Sequence, residues 1–227
     1  MSEATVSPPS RPKGENPSAL REGSLMTTSV LPGWYGKLPY LGDFGSRRLP
    51  ASFVRPWDRW LQRGLAGARS ELGAHWLDVY LVAPILRFWL APRLLDQRGW
   101  AGLLMPSVDR VGRHFPLTVA QPVDTLAAAL ARGAWFDAAD TAARRVLDVE
   151  FSVDDLEQAL LQVAALELPA ADESAARLAD KLLARCASSP APYSVWWTGA
   201  AGDGAEFRCH EALPPPSAFA SLLGASG

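Results

Sequence analysis

The sequence predicts an α+β domain, a largely antiparallel sheet of five or six strands flanked by helices. Two observations carry this. Short, mostly apolar runs bounded by Pro and Gly (Ile85 to Leu90, Trp100 to Met105, Phe115 to Val123) cluster before residue 124. Helical periodicity then takes over until strand-like runs return at 193–199 and 205–213. Strands and helices do not alternate regularly, so a parallel βαβ sheet is not indicated. Nothing between residues 33 and 227 reads as a repeat or a linker, which gives one domain there.

Residues 1–32 hold no aromatic residue and are rich in Ser, Pro, Gly and charge, the composition of a disordered tail, within which Met26 is an alternative start. Folding is expected from Gly33. The run GWYGKLPYLGDFGSRRLPASFVRPWDRW (33–60) reads as a short strand, a shaped loop and then a helix. Gly36, Gly42 and Gly45 permit unusual backbone angles, and Pro39 and Pro50 stiffen the path. Pro56 suits a first helical turn, and Trp57, Trp60, Leu61, Gly64, Leu65, Ala68 and Leu72 follow at helical spacing, ending before Gly73. Residues 76–82 are ambiguous between helix and strand. The stretch 92–99 has the length and turn chemistry of a hairpin-like connection.

Further on, Trp135, Phe136, Ala139, Ala142, Ala143, Val146 and Leu147 form one helical stripe, and Leu156, Leu160, Val163 and Ala164 another. Ser152 with Asp155 resembles a capping box at the start of the latter. Leu178, Leu182, Leu183 and Cys186 form a third stripe, and residues 217–223 a last short helix. Trp196 and Trp197 must point to opposite faces of their strand; packing of both is the favoured reading, and exposure of one, where it would anchor a partner, the alternative.

The chain has 227 residues and a net charge of −2, which gives no reason to expect nucleic acid or an anionic membrane as the main partner. The charge is uneven: eleven Arg against five acids from Arg47 to Arg113, and eleven acids against three Arg from Asp137 to Asp180. These regions form faces of opposite sign unless folding neutralises them. Two cysteines, Cys186 and Cys209, do not make a disulfide framework. The N-terminus lacks the apolar stretch of a signal peptide, and the most apolar run (79–91) is interrupted by Pro84 and Arg87. A soluble, cytoplasmic protein without membrane insertion is the expectation.

Tests for chemistry find little. His75, His114, His210 and the two cysteines occur in no metal-ligand spacing, so no metal is expected. GWYGKLP does not fit a phosphate-binding loop, because two residues and not four separate its glycines and Leu38 follows Lys37. Residues 106–114 (PSVDRVGRH) gather Ser107, Asp109, Arg110, Arg113 and His114, but no nucleophile elbow surrounds Ser107. A capping role, with Ser107 accepting backbone N–H groups, fits it better, and Asp109 would pair with either arginine. Asp43 beside Gly42 is turn chemistry. No cofactor, small-molecule substrate or catalytic residue is indicated.

The run 33–62 closely resembles the opening of the TagF (ImpM) family of type VI secretion-associated proteins. WAGLLMPSVDRVGRHFPLTV (100–119) is similar to that family's second hallmark, and SVWWTG followed by a strand, LP and FASLL is similar to its C-terminal part. Gly45 stands where a larger residue is expected after GDF, which implies a looser loop. Some members carry an attached protein phosphatase domain; none is recognised here, so that activity is not transferred. The resemblance implies a cytoplasmic, post-translational repressor of the type VI injector that acts by binding, with a forkhead-associated scaffold protein as partner. On that reading Lys37, Asp43, Arg47, Arg48, Asp109, Arg110 and Arg113 make contact with the partner. Gly36, Pro39, Gly42, Gly45, Pro106 and Ser107 shape the two loops. A small hydrolase or phosphoesterase using Ser107, Asp109 and His114 is the alternative, and a structural subunit of the injector a third reading.

Overall fold

Strands 86–90 and 100–105 are buried along their whole length, which requires a sheet covered on both faces. The computed structural model describes residues 30–148, 150–186, 191–202 and 204–224. In it, β1 (Gly33–Gly36), β2 (Gly45–Arg47), β3 (Leu86–Leu90), β4 (Trp100–Met105), β5 (Leu117–Pro122), β6 (Tyr193–Trp197) and β7 (Phe207–Glu211) form one sheet. Its order is β2-β1-β5-β4-β3-β6-β7 and every neighbouring pair is antiparallel. The class is the expected one, with seven strands in place of five or six. The added strand is β2, three residues without an aliphatic side chain, registered against β1 with Trp34 opposite Arg47 and Gly36 opposite Gly45.

Alternation along the strands sends side chains into two cores. Leu86, Phe88, Leu90, Trp100 and Leu104 meet α1 (Ala51–Leu72), α2 (Trp76–Val82) and α7 (Phe219–Leu222). Trp89, Ala101, Leu103 and Met105 meet α3 (Leu126–Leu130), α4 (Gly133–Arg145), α5 (Val153–Ala164) and α6 (Glu173–Cys186). Trp196 and Trp197 do point opposite ways, but both are buried, at 0% and 2% exposure, because each face carries its own helical layer. The favoured reading, packing of both, is what the structure shows, and neither is a surface anchor.

The α1 stripe is as expected, with Trp57 4.9 Å from the Phe88 ring and its indole N–H donating to the Thr118 hydroxyl at 2.8 Å. The helix begins earlier than expected. Pro50 holds the N-cap position and Pro56 lies inside, where its missing N–H leaves the Ser52 carbonyl without its helical donor. Burial of Phe53 and Trp57 across that turn outweighs the lost bond. Residues 76–82 are helical. The Ser152–Asp155 capping box is formed in both directions.

The opposite charges of the two halves meet in part. Arg48 of the first half pairs with Glu157 on α5 at 2.5 Å, and Arg87 on β3 pairs with Asp137 on α4 at 2.6 Å. The expected tail, 1–32, lies up to residue 29 outside the described residues, Met26 included. Its last residues belong to the fold: Leu31 packs against the core, and the Pro32 carbonyl accepts from Arg48 Nε at 2.8 Å.

Candidate functional site

At one end of the strands, β1 leads into the 37–44 loop and β4 into the 106–116 loop. Gly36 makes the first exit possible. Its φ is +144°, and a Cβ there would overlap the Pro116 carbonyl. The residue after it, Lys37, is turned inward and only 5% exposed. Such a cation needs an equally buried acceptor, and Asp109 supplies it from 72 residues away, with Nζ–Oδ2 at 2.5 Å.

Asp109 is the knot of the site. Its Oδ2 also accepts from Arg113 Nε at 2.6 Å, and its Oδ1 accepts from the backbone N–H groups of Arg113 (2.8 Å) and Val111 (3.0 Å). Burial alone would raise the carboxyl pKa. The Lys37 ammonium, the Arg113 guanidinium and the two amides outweigh it and hold the group far below the usual carboxylate range. Further ties bind the two loops: Arg110 N–H to the Leu41 carbonyl (3.1 Å), Arg113 Nη2 to the Gly42 carbonyl (2.5 Å) and the Ser107 hydroxyl to the Lys37 carbonyl (2.7 Å). From α2, the Tyr80 hydroxyl donates to the Ser107 carbonyl at 2.9 Å and accepts from the Ser107 N–H at 3.0 Å.

The expected contact residues therefore divide. Lys37 and Asp109 are buried and hold the loops to each other, so they offer nothing to a partner in this arrangement. Arg113 is exposed but has two of its donors engaged within the knot. Arg48, with φ +61°, is a strut joining Glu157 and the Pro32 carbonyl. Asp43, Arg47 and Arg110 are exposed. The Asp43 carboxylate caps its own turn by accepting from the Phe44 N–H at 2.8 Å. Arg110 has no carboxylate partner among the described residues. Arg47 stands apart from the knot, two residues further along β2 than Gly45.

Among the loop-shaping residues, Pro39 sits in a turn closed by Leu41 N–H to the Leu38 carbonyl at 2.9 Å, and Pro106 leads out of β4. Gly42 has room for a side chain; its carbonyl is what matters. Gly45 does not loosen the loop. A Cβ there would stand 2.5 Å from the Trp34 ring, so the missing side chain lets the indole lie over the strand. Ser107 donates through its hydroxyl to the Lys37 carbonyl, and among the described residues no backbone N–H caps onto it.

The sequence reading passed over Phe44, Val111 and Tyr80. Phe44 stacks on Tyr35 (5.8 Å, 7° between planes), meets Phe115 edge-on at 4.8 Å and has the Lys37 ammonium 4.5 Å above its ring, yet is 43% exposed. Val111 at the loop tip is 66% exposed, and Leu81 and Val82 on α2 are exposed as well. The available signal was an aromatic and a valine placed among Gly, Asp and Arg. His114 lies edge-on against the Tyr80 ring at 5.5 Å, while the donors on Asp109 come from Lys37, Arg113 and Val111. Among the described residues no group of three or more His, Cys, Asp or Glu is placed to hold a metal ion, and no helix is long and apolar enough to cross a membrane.

A family model for the TagF N-terminal domain, type VI secretion system-associated, matches residues 33–163, both loops included. The chain belongs to the TagF family. Among solved structures, the crystal structure of PA0076 from Pseudomonas aeruginosa PAO1 is similar to this TagF domain, with 39% sequence identity and a TM-score of 0.69. The similarity covers 86% of this chain and 96% of that one. No curated protein matches. The TagF domain is thus a type VI secretion-associated protein, and both loops that Asp109 ties together lie within the matched residues.

Proposed function

We propose that this TagF domain is a negative regulator of the type VI secretion system that works in the cytoplasm by binding, with a forkhead-associated scaffold protein as its partner. One observation carries the reading. Two loops distant in sequence are locked into a single rigid face by a buried charge knot, and that face presents Phe44, Val111 and the uncompensated Arg110 outward. Pre-ordered loops lose little entropy on association. An exposed aromatic and an exposed guanidinium without a carboxylate partner on adjoining loops suit an interface centre, and Arg110 suits carboxylates on the partner.

The chemistry inside the face speaks for contact and against ester hydrolysis. The Ser107 hydroxyl is committed to the Lys37 carbonyl, and the Asp109 carboxylate is occupied by four donors. Neither group is left to activate a nucleophile.

The test is capture of the purified scaffold by the Arg47→Glu/Arg110→Glu variant, with toxin export measured in cells carrying it. Capture falls at least about tenfold and export rises if the face is right, since reversing charge at an interface costs that much. Undiminished capture by a folded variant discards the face. Deleting the gene without any rise in export discards the repressor role. Ser107→Ala that loses repression while still binding the scaffold favours the enzymatic alternative.

A further inference from the structure

The opposite end of the sheet, where β3 turns into β4 and β6 begins, holds an open cleft of about 490 Å³ between α1, the 91–99 connection and residues 212–216. Its floor is apolar: Trp60, Leu95, Leu213, Pro214, Pro215 and Pro216. Few of these can hydrogen-bond a ligand. The prolines lack an N–H, and the Trp60 indole N–H is taken by the Pro214 carbonyl at 2.8 Å. Among the described residues no Asp or Glu lines the cleft.

One wall is different. Arg59 and Arg63 stand one turn apart on α1, both exposed. Each uses only Nε locally, on the carbonyl one turn back: Arg55 at 3.2 Å and Arg59 at 3.3 Å. Neither meets a carboxylate among the described residues, whereas Arg48, Arg87, Arg113, Arg144 and Arg177 each do. Two cationic forks with free donors thus border an apolar trough that contains no counter-charge.

We infer that this cleft binds an extended acidic segment of a protein partner, its carboxylates on Arg59 and Arg63 and an apolar side chain over Trp60 and Pro215. The spacing matches. Four residues of helix rise about 6 Å, and alternate residues of an extended chain are about 6.6 Å apart on one side. The recognised pattern is therefore two acids two positions apart with an apolar residue two positions beyond. A bare anion would satisfy the guanidinium groups but leave the trough uncovered, which favours the peptide. The inference is independent of the loop face at the other end.

The probe is a capped, dye-labelled peptide Gly-Glu-Ser-Glu-Ser-Phe-Gly, titrated with the full chain and followed by anisotropy. Saturable binding is expected. It weakens at least tenfold in Arg59→Glu/Arg63→Glu, weakens when the peptide Phe becomes Ala, and weakens with added salt. It is unchanged in Arg47→Glu/Arg110→Glu, which separates this cleft from the loop face. Arg59→Gln/Arg63→Gln serves if the charge-reversed variant does not fold, and it too must lose affinity. No saturation at millimolar protein overturns the proposal. So does equal affinity in a folded double variant, or inorganic phosphate competing with a peptide that has no need of its Phe.

Discussion

At one end of the strands Arg113 reaches Asp109 at 2.6 Å and the Gly42 carbonyl at 2.5 Å, while at the other Arg59 and Arg63 hydrogen-bond, among the described residues, to backbone carbonyls of their own helix alone. The same side chain fastens structure in one place and is left available in the other. What decides is the burial of a neighbour. Lys37 sits behind the loops without solvent, so a carboxylate must be brought to it, and Arg113 and two amides complete that carboxylate's shell. Among the described residues no carboxylate pairs with Arg59 or Arg63, and their guanidinium groups stay uncompensated there.

Breaking the knot is the strongest test of this contrast. Asp109→Asn leaves the buried Lys37 ammonium without its counter-ion, and a fall in Tm of about 10 °C or more is expected by calorimetry. A fall of only a degree or two would mean that the loops are held by packing. Next comes Gly36→Ala, which places a Cβ at φ +144° against the Pro116 carbonyl. A loss of about 2–3 kcal/mol in denaturant unfolding is expected.

Acid titration sharpens the comparison. The depressed carboxyl of Asp109 adds stability that is complete above the ordinary carboxylate pKa of about 4. That stability is lost as pH falls from there toward the folded-state value. The Tm of the wild type should drop below about pH 4, and Asp109→Asn should flatten the drop. An acid limb identical in the two proteins would assign it to other groups. Glu157 is such a group: burial raises its pKa, but Arg48 and the Trp34 indole N–H outweigh this and hold it low. Glu157→Gln keeps an acceptor for Trp34 and removes an ion pair whose side chains are 27% and 23% exposed, so about 1 kcal/mol is expected. The smallest effect belongs to Arg59→Gln/Arg63→Gln, whose melting should match the wild type within about 0.5 kcal/mol.

Most strands and helices were legible because apolar periodicity writes them directly. The β3–β4 hairpin, the α5 capping box and the α1 stripe needed only local pattern. The misreadings share a cause: tertiary context overrode a local cue. Pro56 reads as a helix start, yet Phe53 and Trp57 on either side are buried and carry the helix through it. GSR at 45–47 has no strand signal at all; pairing with β1 creates β2. At the site, backbone and turn chemistry was visible in Gly36 and Asp43, and a pairing of Asp109 with an arginine was legible too. The partnership of Lys37 with Asp109 was not, because 72 residues separate them and burial of a lysine leaves no mark in its neighbours' identities.

One dipeptide links the two interiors. Trp196 stacks on the α1 side, 6.1 Å from Trp57, and Trp197 lies across the strand 5.2 Å from Phe136 of α4. Neither helical layer can peel away without dragging on an indole whose immediate chain neighbour is anchored in the other. Heat should therefore find a single cooperative unit, three layers deep, that melts in one step.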